Sequence, residues 1–186
     1  MDGDSLEINI NDKTENRAFN YALFLLSKKD YTCAEIRDKL HGKGYESSVC
    51  DKVVKVLKKD NYLNDERYCE KYISDKMKHT KYGKNRIKYN LIKKGVDKDI
   101  ISQKILLVDQ GEEYEKALEL ACKKYEKLCE KYKLNSNDEQ EECSDYINRR
   151  EKYELRIKIR KKVFQYLCNC GYSYDVANMV LGALIY

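Results

Sequence analysis

His41 and His79 are the only histidines in this chain. Neither stands in a His-Glu-x-x-His pair or beside a nucleophile elbow, so neither imidazole has the neighbours that zinc or nucleophilic chemistry needs. The eight cysteines are Cys33, Cys50, Cys69, Cys122, Cys129, Cys143, Cys168 and Cys170. Cys168-x-Cys170 has the spacing of neither a zinc knuckle nor a redox pair. Cys50 and Cys69 fall at apolar helical positions, where a thiol packs as a small hydrophobe. Gly42-Lys43-Gly44 lacks the Walker spacing and follows a helix instead of opening one, so it reads as a helix C-cap. Carboxylates are abundant but interleave with lysines on helical faces, the pattern of solvated surface and not of an acid–base pair. The residue types point away from an enzyme, and neither a metal nor a cofactor is expected.

The cations carry the functional signal. The chain has 37 Lys and Arg against 32 Asp and Glu, a net charge of +5. That excess is concentrated in two blocks. Residues 81–104 hold eight basic residues against two acidic ones, and residues 149–162 hold eight against two. Such blocks suit phosphate or an acidic protein surface. In the first, Lys81, Lys84 and Lys88 form a stripe beside the apolar Ile87/Leu91 stripe. Arg86 and Lys93, seven apart, share an exposed one, and Lys94 follows. In the second, Ile159, Val163, Tyr166 and Leu167 face inward, while Lys158, Lys161, Lys162 and Gln165 face out, with Arg160 beside them. Tyr82, Tyr89, Tyr153 and Tyr166 accompany these blocks, and tyrosine among lysines serves stacking and phosphate contact in nucleic-acid binding. Most of the 17 tyrosines are nonetheless expected to anchor core edges.

Helices must position these residues. The chain has no proline and eight glycines, so helix interiors run uninterrupted and glycine acts as punctuation. No long stretch alternates with period two, which predicts an all-α protein. One skeleton recurs three times: Leu-x3-Gly-[Tyr/Val]-x3-[Val/Ile], at Leu40/Gly44/Tyr45/Val49, Leu91/Gly95/Val96/Ile100 and Leu167/Gly171/Tyr172/Val176. Ile36, Ile87 and Val163 precede the shared leucine by four. Val54, Ile105 and Leu181, then Leu57, Val108 and Leu184, follow in register. The expected architecture is an elongated tandem array of three three-helix, helix-turn-helix-like repeats at residues 17–63, 64–110 and 111–186. A flexible acidic leader at 1–16 precedes them, and an acidic insert at about 134–148 interrupts the third. Residues 1–15 carry five acids against one lysine, which is no signal peptide, and no apolar run approaches a membrane span. A cytoplasmic protein with reduced thiols is expected.

Four stretches together resemble the RecX family, regulatory proteins of the bacterial recombinase RecA. They are Ala22–Ser27 with Tyr31–Leu40 and Lys43-Gly-Tyr45; Leu57 with Tyr62-Leu-Asn-Asp-Glu-Arg-Tyr68; Tyr82-Gly-Lys-Asn-Arg-Ile87 with Leu91-x-x-Lys-Gly-Val96; and Tyr166-Leu-x3-Gly-Tyr-Ser-Tyr174. The resemblance spans about residues 17–186. It implies a cytoplasmic, non-enzymatic regulator of recombination, DNA repair and the SOS response. Such proteins bind the RecA–single-stranded DNA filament and dampen its ATPase, strand-exchange and co-protease activities. A monomer that also binds duplex DNA weakly is the expected form. No family motif assigns the basic residues their roles, which rest on charge placement. The long acidic insert, the high cysteine count and Cys69, where a small residue such as alanine is usual, depart from the family pattern. The competing reading is a stand-alone DNA-binding regulator built on helix-turn-helix-like units.

Overall fold

The structure, a computed structural model, describes residues 13–134 and 146–184. All regular structure among them is α-helical: α1 (Lys13–Leu26), α2 (Cys33–His41), α3 (Ser47–Lys59), α4 (Asp65–His79), α5 (Lys84–Lys93), α6 (Lys98–Leu106), α7 (Gln110–Tyr132), α8 (Tyr146–Cys170) and α9 (Tyr174–Ala183). Most of the expected leader and insert lies outside the described residues.

The repeated skeleton is a helix-ending device. Glycines 44, 95 and 171 all have φ between +75° and +92°, the left-handed region. In each copy the N–H of the next residue donates back to the shared leucine's carbonyl: Tyr45 to Leu40 at 3.3 Å, Val96 to Leu91 at 3.2 Å and Tyr172 to Leu167 at 3.2 Å. This six-to-one bond defines the Schellman motif. It explains why the leucine, the glycine and the apolar residue after it recur together. The three leucines have no accessible surface, and neither do Ile36, Ile87 and Val163. Burying each such side chain is worth about 1.5–3 kcal/mol.

The chain folds as two compact units. Of the described residues, one takes those up to Ser74 together with Tyr89–Ile105; the other takes Asp75–Lys88 with those from Leu106 onward. Neither is a single repeat, since α4 and α5 each run from one unit into the other.

In the first unit, α1, α2 and α3 enclose Ala18, Ala22, Ile36, Leu40, Cys50, Val53 and Leu57. Thr32 caps α2 in a capping box. Its hydroxyl oxygen accepts from the Glu35 N–H at 3.1 Å, and the Glu35 carboxylate accepts from the Thr32 N–H at 3.1 Å. The same hydroxyl donates to the Lys94 carbonyl at 2.6 Å. The neighbouring Gly95 lies against Ala34, and a Cβ added at Gly95 would stand 2.2 Å from that of Ala34.

In the second unit, α7, α8 and α9 bury Ala117, Ala121, Ile159, Val163, Leu167, Ala177 and Val180. Here too a helix start sits on a glycine turn. The Gly83 N–H donates to the Cys170 carbonyl at 2.9 Å and the Asn85 N–H to the Gly171 carbonyl at 3.0 Å. A Cβ at Gly171 would meet that of Arg86 at 2.4 Å. Counted back from the shared leucines, Gly83 stands where Thr32 does. One joint is therefore used twice, each time seating the start of a repeat's second helix on the next repeat's glycine turn.

Four boundaries differ from the sequence expectation. Helix α1 begins at Lys13, inside the expected leader, because Glu15 is buried and accepts from Lys52 at 2.7 Å. Leu134, expected at the start of the insert, is buried. Lys133 adopts φ 53° and lets the Leu134 N–H return to the Cys129 carbonyl, again a six-to-one bond. Helix α8 begins at Tyr146, inside the expected insert, with Arg150 pairing Glu154 one turn on. Helix α6 ends at Leu106, so Val108, which the repeat register aligns with buried Leu57, lies outside it and is only half-buried, and Leu107 is 78% exposed.

Candidate functional site

In the second unit, α8 presents an exposed cationic ridge. Lys158, Arg160, Lys161 and Lys162 are all exposed, and none makes an ion pair among the described residues. Ile159 and Val163 on the opposite side are fully buried, which fixes this orientation. Lys158 and Lys162 flank the Tyr132 ring, their ammonium nitrogens 5.6 and 5.8 Å from its centroid. The hydrogen bond with Lys162, then the charges of Lys162 and Lys158, hold the Tyr132 phenol below its ordinary pKa. A shallow groove runs along this face past Ile157, Lys161 and Gln165.

The start of α5 belongs to the same unit, and its cations are used differently. Lys81 and Lys88 are exposed. Arg86 stacks over Tyr82, 4.6 Å from the ring centroid, and donates to the Asn169 carbonyl at 3.0 Å, so it tethers the glycine turn. Lys84 is consumed inside the fold. Its ammonium pairs with buried Glu113 at 3.2 Å and donates to the Val108 carbonyl at 2.9 Å, while its backbone N–H donates to Glu113 at 3.1 Å.

Lys93 and Lys94 belong to the first unit. Lys93 is exposed and stands over Tyr89 at 5.0 Å. Lys94 is half-buried, pairs with Glu35 at 2.7 Å and rests against Tyr68 and Tyr72, 5.6 and 5.8 Å from their centroids. Burial pulls its pKa down, but hydrogen bonds with Glu35 and Tyr68 more than compensate and raise it above the ordinary lysine value. Charge placement treats these ten cations as one class. The folded chain leaves Lys81, Lys88, Lys93 and the four of α8 facing solvent, and spends Lys84 on an ion pair inside the second unit and Lys94 on one inside the first.

The first unit also has a groove that charge placement overlooks. Tyr31 and Tyr62 line it with Arg67, Tyr68 and Lys71. The signal for it lay in the Tyr62–Tyr68 junction, whose Tyr62 and Arg67 have no role in the core pattern.

Among the described residues, Cys33, Cys50 and Cys69 are buried free thiols, and Cys122, Cys129, Cys168 and Cys170 are half-buried free thiols. No group of three or more His, Cys, Asp or Glu among them has metal-site geometry. No helix among them is long and apolar enough to cross a membrane.

Residues 18–57 match the family model described as RecX, first three-helix domain, and residues 64–105 match RecX, second three-helix domain. The chain is 36% identical to the regulatory protein RecX of Clostridium perfringens (strain 13 / Type A) over 165 residues, 89% of this chain and 67% of that relative. It is 30% identical to the regulatory protein RecX of Clostridium botulinum (strain Alaska E43 / Type E3) over 181 residues, 97% of this chain and 74% of that relative. The crystal structure of RecX from Lactobacillus salivarius superposes with a TM-score of 0.72 at 27% identity, covering 92% of this chain and 96% of that one. With the all-helical fold and the matched three-helix domains, these likenesses show that the chain belongs to the RecX family of regulatory proteins.

Proposed function

We propose that this chain regulates homologous recombination and the SOS response by binding the RecA–single-stranded DNA filament in the cytoplasm, as a monomer and without catalysis of its own. It modulates, mostly by inhibition, the filament's ATPase, strand-exchange and co-protease activities. The observation that carries this reading is the α8 ridge of Lys158, Arg160, Lys161 and Lys162, exposed and without an ion-pair partner among the described residues. A nucleoprotein filament offers phosphates and acidic protein surface together. Unpaired cations on a rigid helix suit both, because no internal pair must first be broken. Lys81, Lys88 and Lys93 add exposed charge. Arg86 adds a guanidinium partly committed to the Gly171 turn through the Asn169 carbonyl, and Lys84 and Lys94 support the fold around them.

The test is titration of the purified chain into a RecA–single-stranded DNA ATPase assay beside the Lys161→Glu/Lys162→Glu double variant. The wild-type chain is expected to suppress ATPase at stoichiometries too low to coat the DNA. The variant is expected to need roughly tenfold more protein at physiological salt, with unchanged helical content. Equal inhibition by the variant removes α8 from the contact. Sequence-selective duplex binding with no effect on the recombinase overturns the whole reading in favour of a stand-alone DNA-binding regulator.

A further inference from the structure

The Tyr62–Tyr68 junction leads from α3 into α4, and its side chains open onto the groove of the first unit. Tyr62 is 52% exposed, and its ring has neither a ring nor a cation partner among the described residues. Arg67 is exposed and makes no ion pair among them, although its backbone N–H is spent on the Asn64 side chain at 2.9 Å. The groove's one carboxylate, Asp30, is neutralised by Lys71 at 2.5 Å. Across the groove Tyr31 carries the Lys29 ammonium on its ring, 4.6 Å from the centroid.

From this juxtaposition of an unoccupied tyrosine face with an unpaired guanidinium, we infer that the groove is a subsite for one unstacked nucleotide of a single-stranded nucleic acid. The base stacks on Tyr62 and the adjoining phosphate is held by Arg67. Every base has a π-face, so such a platform is indifferent to sequence, and a guanidinium matches two phosphate oxygens at once. A duplex buries its base faces against one another and has none to offer Tyr62. An acidic peptide would satisfy Arg67 and leave the ring unused. The groove lies wholly in the first unit and shares no residue with the α8 ridge. It deepens the proposed function and rests on that reading for its biological setting, but its test needs no recombinase.

The full-length chain is titrated with fluorescein-labelled oligothymidine at low salt, following anisotropy, beside Tyr62→Ala, Tyr62→Phe, Arg67→Ala and Arg67→Lys. Each alanine variant is expected to weaken binding about tenfold, with helical content and thermal midpoint unchanged. Tyr62→Phe is expected to bind like wild type because it keeps the ring, and Arg67→Ala to lower the salt slope by about one phosphate contact. With 5-iododeoxyuridine in the oligonucleotide, photocrosslinking is expected to map to Tyr62. The subsite is overturned by undetectable oligothymidine binding, by wild-type affinity in both alanine variants, or by Tyr62→Phe binding as weakly as Tyr62→Ala. It is equally overturned if a short Asp/Phe peptide loses its binding in Tyr62→Ala while oligothymidine binding stays intact, which assigns the groove to a protein. Any of these results can coexist with full ATPase inhibition, so failure of the subsite is distinguishable from failure of the regulatory reading.

Discussion

The Thr32 hydroxyl donates a 2.6 Å hydrogen bond to the carbonyl of Lys94, 62 residues further along the chain, while accepting from the Glu35 N–H in the first turn of α2. One oxygen thereby caps α2 and fastens it to the second glycine turn. Both partners are buried or half-buried, so losing the hydroxyl strips a helix cap and orphans a carbonyl in one step. Thr32→Ala is expected to cost about 2 kcal/mol, roughly one from the cap and one from the lost bond. Thr32→Ser keeps both functions and is expected to lie within about 0.5 kcal/mol of wild type. Urea denaturation of the three proteins decides it; equal losses for alanine and serine would mean that the hydroxyl contributes nothing.

The three motif glycines share a backbone conformation but differ in surroundings. Nothing lies within 4 Å of a Cβ added at Gly44, whereas Gly95 faces Ala34 at 2.2 Å and Gly171 faces Arg86 at 2.4 Å. Gly44→Ala should therefore cost only the left-handed penalty, about 1–2 kcal/mol. Gly95→Ala and Gly171→Ala add a steric clash and should reach about 3 kcal/mol or more. The ordering of thermal midpoints tests this, and a Gly44→Ala midpoint as low as the other two contradicts it.

Glu113 holds both ends of Lys84, accepting from its backbone N–H and pairing with its ammonium. Removing the carboxylate leaves a cation that is only 20% exposed without its counter-charge. Glu113→Ala is expected to destabilise by about 3 kcal/mol, at the lower end for a buried pair because Lys84 keeps some solvent and the Val108 carbonyl. Glu113→Gln, which can still accept from the backbone, is expected to lose less. Chemical denaturation measures both, and a neutral Glu113→Ala would place the pair's net contribution near zero.

Cys33 is buried beside Asp65, which accepts from its backbone N–H at 2.9 Å. Burial, then the Asp65 charge, pushes its thiol from 9.0 up to about 12. The folded state thus holds this proton more tightly than the unfolded state does. The associated stability is fully present below about pH 9 and is lost as pH rises toward 12. At pH 8 Cys33 is expected to resist iodoacetamide while half-buried Cys122 and Cys129 react, as resolved by peptide mass spectrometry. Replacing it by alanine should flatten the loss of stability above pH 9. Prompt alkylation of Cys33 in the native protein would refute the assignment.

The helical repeat was legible in the sequence because its signal is local. A Schellman turn needs an apolar residue, a glycine and another apolar residue within six positions, and all three copies write them out. Leu40, Leu91 and Leu167 consequently sit in the core as periodicity expects. The cations were legible as charge but not as roles. Nothing near Lys84 announces that Glu113, 29 residues on, will claim it, and Lys94 likewise meets Glu35 across 59 residues. Val108 shows the opposite error: the repeat register aligns it with buried Leu57, yet α6 stops two residues earlier and leaves it half-buried. The groove of Tyr31, Tyr62 and Arg67 escaped for the same reason as the ion pairs, since its two walls come from segments about 30 residues apart.

The seating of one repeat's helix start on the next repeat's glycine turn bears on how the chain is made. On the ribosome the N-terminal helices emerge first, but Thr32 and Ala34 find their seat only when Lys94 and Gly95 have left the exit tunnel. Gly83 and Asn85 must wait longer still, for Cys170 and Gly171. Synthesis therefore completes each joint from the C-terminal side. A chain released early, after its second repeat, would carry one finished joint and one helix start with nothing to sit on.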